Sequence, residues 1–125
     1  MKETIIIIAV LILTFVPNFI FRNYLNATGE EILDIIKIMD ADIENGNGIN
    51  EEISRKLEED FLAKEKKWIL FVDHEILDEI ENAIEECIAF YNVEDDMEFE
   101  SSSNKLKNSI EDLTKREEIS LANIL

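Results

Sequence analysis

Apolar residues fall into two regimes along this chain. From Thr4 to Phe21 they are nearly continuous: "TIIIIAVLILTFVPNFIF" has 18 residues and no charge, and 13 of them are Ile, Leu, Val or Phe. As a helix this segment would be roughly 27 Å long at about 1.5 Å per residue, close to a hydrocarbon core of about 30 Å. Beyond Arg22 the apolar residues recur every three or four positions, which predicts amphipathic helices. The first stripe runs Leu25, Ile32, Ile35, Ile36, Met39 and Ile43, on a helix over roughly Tyr24–Ile43. The second is Ile53, Leu57, Phe61, Trp68 and Phe71; the third is Leu77, Ile80, Ile84, Cys87, Ile88 and Tyr91; the fourth is Phe99, Leu106, Ile110 and Leu113. "EISLANIL" adds a short apolar tail.

The boundaries follow from local chemistry. In "ENGNG", Gly46 and Gly48 accept positive φ and Asn45 can close a helix. The second helix is expected to start near Asn47, with Glu51 and Glu52 at the positive end of its dipole. No Gly or Pro separates the second and third stripes, but their phase does. Continuing from Ile53 at about 3.6 residues per turn predicts core positions near Glu75, Asp78 and Asn82, nearly half a turn from the actual apolar ones. A break at Asp73, a good N-cap, restores one buried face. "WILFV" is then apolar nearly all round because it packs where the chain reverses. Asp95 with Glu98 three residues on matches a capping box. Three Gly and one Pro leave little turn chemistry for a sheet. The predicted fold is all-α: an N-terminal transmembrane helix in residues 1–22, then an acidic domain in 23–125 forming a bundle of about four antiparallel amphipathic helices.

Each large apolar residue favours insertion by about 0.3–0.6 kcal/mol at a helix centre. Pro17 and Asn18 lie toward the far end, and Phe19, Phe21 and Tyr24 would reach the interface with Arg22 just beyond. The rivals are a cleaved signal peptide and a buried soluble helix. Ile5–Val16 has the length of an h-region, but bulky residues and Arg22 follow it, and the small triplet Ala27-Thr28-Gly29 lies far downstream. The amino terminus and Lys2 favour the inside, against Arg22. The expected location is the cell membrane, single-pass, with a cytoplasmic N-terminus and an extracytoplasmic C-terminal domain.

Charge narrows the partners. Residues 23–125 hold 28 acids against 10 bases. Such a surface as a whole repels phosphate backbones and anionic lipid head groups, so no nucleic-acid partner is expected. From Asp73 to Asn104 there are twelve acids and no Lys or Arg, read as a solvated face or as a dock for a basic partner. Cys87 is the chain's only cysteine, so no disulfide forms within the chain; it suits buried packing or, alternatively, a dimer disulfide.

Candidate sites are few. Asp73, His74 and Glu75 are consecutive, so on a helix they point about 100° apart and cannot converge on one ion. His74 and Asp78 can share a face, but two ligands make a poor metal site. "DADIENGNGINE" places Asp40, Asp42, Glu44 and Glu51 at positions 1, 3, 5 and 12 of a calcium loop, yet has Asn45 where glycine is required and Asn47 where an apolar residue is required. Asn26-Ala27-Thr28 fits a glycosylation pattern but lies too near the membrane to weigh. There is no phosphate loop, no CxxC pair and no defensible Ser/His/Asp set. No cofactor or metal is expected.

The "NYL" after the apolar segment, the "W" followed by "DHEILDEIE", and the closing "ISLANIL" resemble the domain-of-unknown-function 4363 family, short single-anchor helical proteins of endospore-forming Gram-positive bacteria. The resemblance covers essentially the whole chain, and its most specific elements fall on Trp68, Asp73, His74, Asp78, Ile80, Asn123, Ile124 and Leu125. "ENGNGINEE" departs from it in the first loop. The resemblance implies an anchored, α-helical, extracytoplasmic protein and supplies no activity. The expected function is therefore a protein–protein interaction or structural component at the cell envelope, not an enzyme, bound to the bilayer through residues 4–21 and to another membrane or envelope protein. Trp68, Asp73, His74, Asp78 and Asn123 are the candidate interaction residues. A cation-responsive domain is the alternative, and a hydrolase using His74 a less favoured one.

Overall fold

The computed structural model of the chain describes residues 1–70 and 72–124, with the side chains of Asn18 and of residues 114–124 excepted. Among the described residues there are four helices and no strand: α1 (Lys2–Glu44), α2 (Glu51–Trp68), α3 (His74–Asn92) and α4 (Asp96–Ile124). The all-α prediction holds, with one difference. The apolar segment and the first bundle helix are one continuous helix of 43 residues, about 64 Å long at about 1.5 Å per residue. The boundary between residues 22 and 23 falls inside α1, because Arg22-Asn23-Tyr24 contains no residue that breaks a helix. Pro17 is accommodated within it.

Each turn carries its own cap. α1 closes at Asn45, and Gly46 and Gly48 take φ of 64° and 84°, left-handed values that suit glycine. Asn50, rather than Asn47, is the N-cap of α2, its side chain accepting from Glu52 N–H at 3.1 Å. Asp73 caps α3 by accepting from Glu75 N–H at 3.3 Å, where the phase argument put the break. Asp95 Oδ1 accepts from Glu98 N–H at 3.1 Å, half of the expected capping box. The reciprocal half is replaced, since Asp95 N–H donates to Phe90 O.

The apolar stripes form one core. Leu25, Ile32, Ile35, Ile36 and Met39 from α1 meet Leu57, Phe61 and Trp68 from α2, Leu77, Ile80, Ile84, Cys87 and Tyr91 from α3, and Phe99, Leu106, Ile110 and Leu113 from α4. Phe21 and Tyr24 are half-buried against the same core, so it reaches the last residue of the apolar segment. Gly29 lets α4 approach closely: a Cβ there would stand 2.7 Å from Ile110 Cγ2, a branch on a stiff side chain that cannot swing away.

Three contacts order α2 along α1. Near the start of α2, Asn50 N–H donates to Tyr91 Oη at 2.8 Å, and Tyr91 Oη donates to Asp42 at 3.3 Å. Further on, Lys64 Nζ reaches Glu31 at 2.7 Å. At the end, Trp68 Nε1 donates to Thr28 Oγ1 at 3.1 Å. Advancing along α2 therefore means returning along α1 toward its apolar half.

The expectation for "WILFV" needs correction. Trp68 and Val72 are buried, but Ile69 is 44% and Leu70 74% exposed. Past the end of α2 the backbone turns once more at Ile69 and Leu70, whose N–H groups donate to Glu65 O and Lys67 O, and this leaves both side chains on the outside. Phe71 lies outside the described residues.

Candidate interaction groove

The residues singled out from the sequence do not form one site. Trp68 is fully buried, its ring edge-on to Phe61 with centroids 6.4 Å apart. Its indole N–H is satisfied by Thr28, whose hydroxyl in turn donates to Tyr24 O at 2.7 Å. Asp73 is engaged as the α3 cap. His74 and Asp78 are exposed on the first turns of α3. The side chain of Asn123 lies outside the described residues. Cys87 is buried, and burial pushes its thiol up to about 12, which suits packing better than reactivity.

The calcium-loop alignment fails on geometry. Asp40, Asp42 and Glu44 belong to α1 rather than to a loop, so they cannot wrap an ion as loop positions 1, 3 and 5 do. Asp42 accepts from Tyr91 Oη and, at 3.5 Å, from Asn47 Nδ2. Burial, offset in part by the Asn50 N–H and reinforced by the Asp42 charge, holds the Tyr91 phenol above its ordinary range. No group of three or more His, Cys, Asp or Glu that could hold a metal occurs among the described residues.

What the structure does assemble is a groove between α2 and α3. Phe61 and Leu62 of α2 and Ile84, Ile88 and Ala89 of α3 line its floor, and Glu58, Glu81 and Glu85 its rim, around a volume of about 350 Å³. Leu62, Glu65, Lys66 and Ile69 line a neighbouring depression farther along α2. Leu62 and Ile69 are exposed apolar side chains. The rim is electrostatically crowded. Glu81 is held above its ordinary carboxylate value of 4.5, first by the charge of Glu65, then by partial burial and by Glu85 and Asp78. One oxygen of Glu65, Oε2, is buried with no hydrogen-bond partner among the described residues.

The sequence could not disclose the groove, because each carboxylate on it is unremarkable alone and only the packing of α2 on α3 brings them together. The same holds for Lys64, which sits among the core positions of α2 with its side chain only 10% exposed. Burial disfavours its charge, but hydrogen bonding to Glu31 and the carboxylates of Asp60 and Glu31 outweigh that and hold its pKa above 10.5. A lysine at apolar spacing is the one signal that was present: its stem packs while its amine reaches out to acids.

The family match extends from residue 19 to residue 124 and is to the family described as Domain of unknown function (DUF4363). The chain belongs to the DUF4363 family. Neither the curated proteins nor the solved structures provide a match to it. For this DUF4363 chain the matched residues take in the whole four-helix packing and Phe19 and Phe21, but not residues 4–18.

The crowding gives a pH prediction. A carboxyl whose folded pKa is raised binds more protons in the folded than in the unfolded state, so stability falls as pH rises through that window. The repulsion is fully present above the raised pKa of Glu81 and is relieved as pH falls toward 4.5. Glu81→Gln should therefore raise Tm at pH 7 and flatten the profile of Tm against pH just above 4.5. A Glu81→Gln chain with an unchanged Tm at pH 7 would mean that the rim carboxylates do not repel one another.

Proposed function

We propose that this protein is a single-pass membrane protein whose acidic bundle stands outside the cytoplasmic membrane and uses the α2–α3 groove to hold a basic amphipathic helix of another membrane or envelope protein. The observation that carries the reading is the groove itself, an apolar floor bordered by carboxylates that crowd one another. An amphipathic helix laid in such a groove buries its apolar face, and Lys or Arg at its edges meets the rim. Cations there would offset the repulsion at Glu81. The apolar half of α1 supports the membrane part: its best 18-residue window has a mean hydropathy of 2.6, and 0% of that window is buried against the protein. On this reading the protein is a docking component and not an enzyme, and His74 is a surface residue at the start of α3.

The test is a photo-crosslinking amino acid placed at Leu62, on the groove, and at Lys37, an exposed residue of α1, in the full chain in native membranes. A discrete adduct from Leu62 alone, lost when Glu58, Glu81 and Glu85 are all changed to Gln, is the expected result. Equal labelling from both positions, or an adduct indifferent to the Gln changes, would reject the groove as the docking surface.

A further inference from the structure

We infer that the turn joining α2 to α3 is a second membrane contact, an apolar tip that rests in the head-group layer of the same phospholipid bilayer that holds α1. The inference rests on the reading of α1 as a membrane anchor. Trp68 is fixed to Thr28, which lies seven residues beyond Phe21 in one continuous helix, about 10 Å along its axis at about 1.5 Å per residue. Ile69 and Leu70 follow Trp68 directly, hydrogen-bonded back to Glu65 O and Lys67 O, so they sit at that same end of the bundle. A bilayer about 40–45 Å thick around a hydrocarbon core of about 30 Å leaves an interfacial layer of roughly 5–7 Å on each side, and the tip falls at its edge. Phe21 and Tyr24 already pack on the bundle core, so no spacer lifts the bundle away from the membrane.

Among the described residues of this turn, Leu70 and Ile69 are exposed large apolar side chains, at the end of the bundle where a bilayer would cover them. The two residues before Trp68 are Lys66 and Lys67, both exposed in the last turn of α2. In a chain with 29 acids and 12 bases, adjacent lysines beside exposed Leu and Ile form the pattern that binds a phosphate-bearing interface, with apolar side chains below the head groups and ammonium groups among the phosphates. Two points of attachment would fix the tilt of the bundle and hold the mouth of the α2–α3 groove at a set height above the lipid.

The experiment uses the full chain in vesicles of phosphatidylcholine and phosphatidylglycerol, with an environment-sensitive fluorophore on one introduced cysteine and a nitroxide lipid as quencher. Cys87 is buried and stays unlabelled. The positions are Ile12→Cys in the apolar segment, Leu70→Cys on the tip and Val93→Cys at the opposite end of the bundle, beside the Tyr91–Asp42 contact. Asp42 is twenty-one residues beyond Phe21, or about 30 Å along α1. The inference expects probes at 12 and 70 to lose most of their emission and the probe at 93 to keep it. It also expects Lys66→Gln with Lys67→Gln to restore part of the emission at 70. Quenching at 12 with none at 70 overturns the tip and leaves the anchor standing. Quenching at none of the three removes the anchor, and the tip with it. Quenching at all three overturns the tip by showing a bundle lying flat on the bilayer.

Discussion

Trp68→Ala should destabilise the bundle by about 3–5 kcal/mol, the usual range for deleting a buried aromatic. The effect is expected at the upper end of what one substitution does, because three things are lost together. The ring is fully buried in the core between α2 and α1. Its edge contact with Phe61 disappears. Its N–H no longer reaches Thr28 Oγ1, the contact that fixes the end of α2 to α1. In a domain of this size the change should lower Tm by more than about 10 °C. Trp68→Phe separates the contributions: it keeps most of the volume, loses the hydrogen bond, and should cost a good deal less. Helical signal in detergent, followed through thermal unfolding, checks both. An alanine variant that melts with the parent chain would mean that Trp68 is not part of the core.

The second large effect concerns the apolar half of α1. Val10→Asp combined with Leu13→Asp should move the protein from the membrane to the soluble fraction. Each charge near the helix centre costs about 2.5–3.5 kcal/mol, and each large apolar residue there contributes only about 0.3–0.6 kcal/mol. Two acids therefore offset most or all of what the 13 apolar residues provide. Both positions are exposed in the protein, so the bundle itself should keep its melting temperature and the blue-shifted emission of its single tryptophan. If the doubly charged chain still sediments with membranes, something other than this segment retains it.

The parts of this protein that could be read from its residues are those decided by short-range rules. Asp73 is a case: the stripes before and after it are out of phase, an N-capping residue stands between them, and the structure places the cap there. Asp95 and the glycines after Asn45 behave in the same way. The predictions that needed correction have two sources, local geometry followed too loosely and contacts made across the core or between neighbouring helices. The apolar segment and the first bundle helix merge, because nothing in Arg22-Asn23-Tyr24 interrupts a helix. Ile69 and Leu70 are exposed although their composition suggested burial, because a chain leaving a helix cannot turn every side chain inward. Asp42, read as a possible calcium ligand, is occupied by a phenol from α3, 49 positions away in sequence. The groove and its crowded carboxylates arise from α2 and α3 packing side by side, and no spacing within either helix announces them.

The account stands on residues 4–21 of α1 lying in a bilayer as an uncleaved part of the chain. The most direct measurement is the mass and partition of the protein recovered from cells after an alkaline carbonate wash. The prediction is a species of the full 14.5 kDa that stays with the membrane pellet and is released only by detergent. A shorter species lacking the apolar segment, or a full-length one that the wash releases, would contradict it.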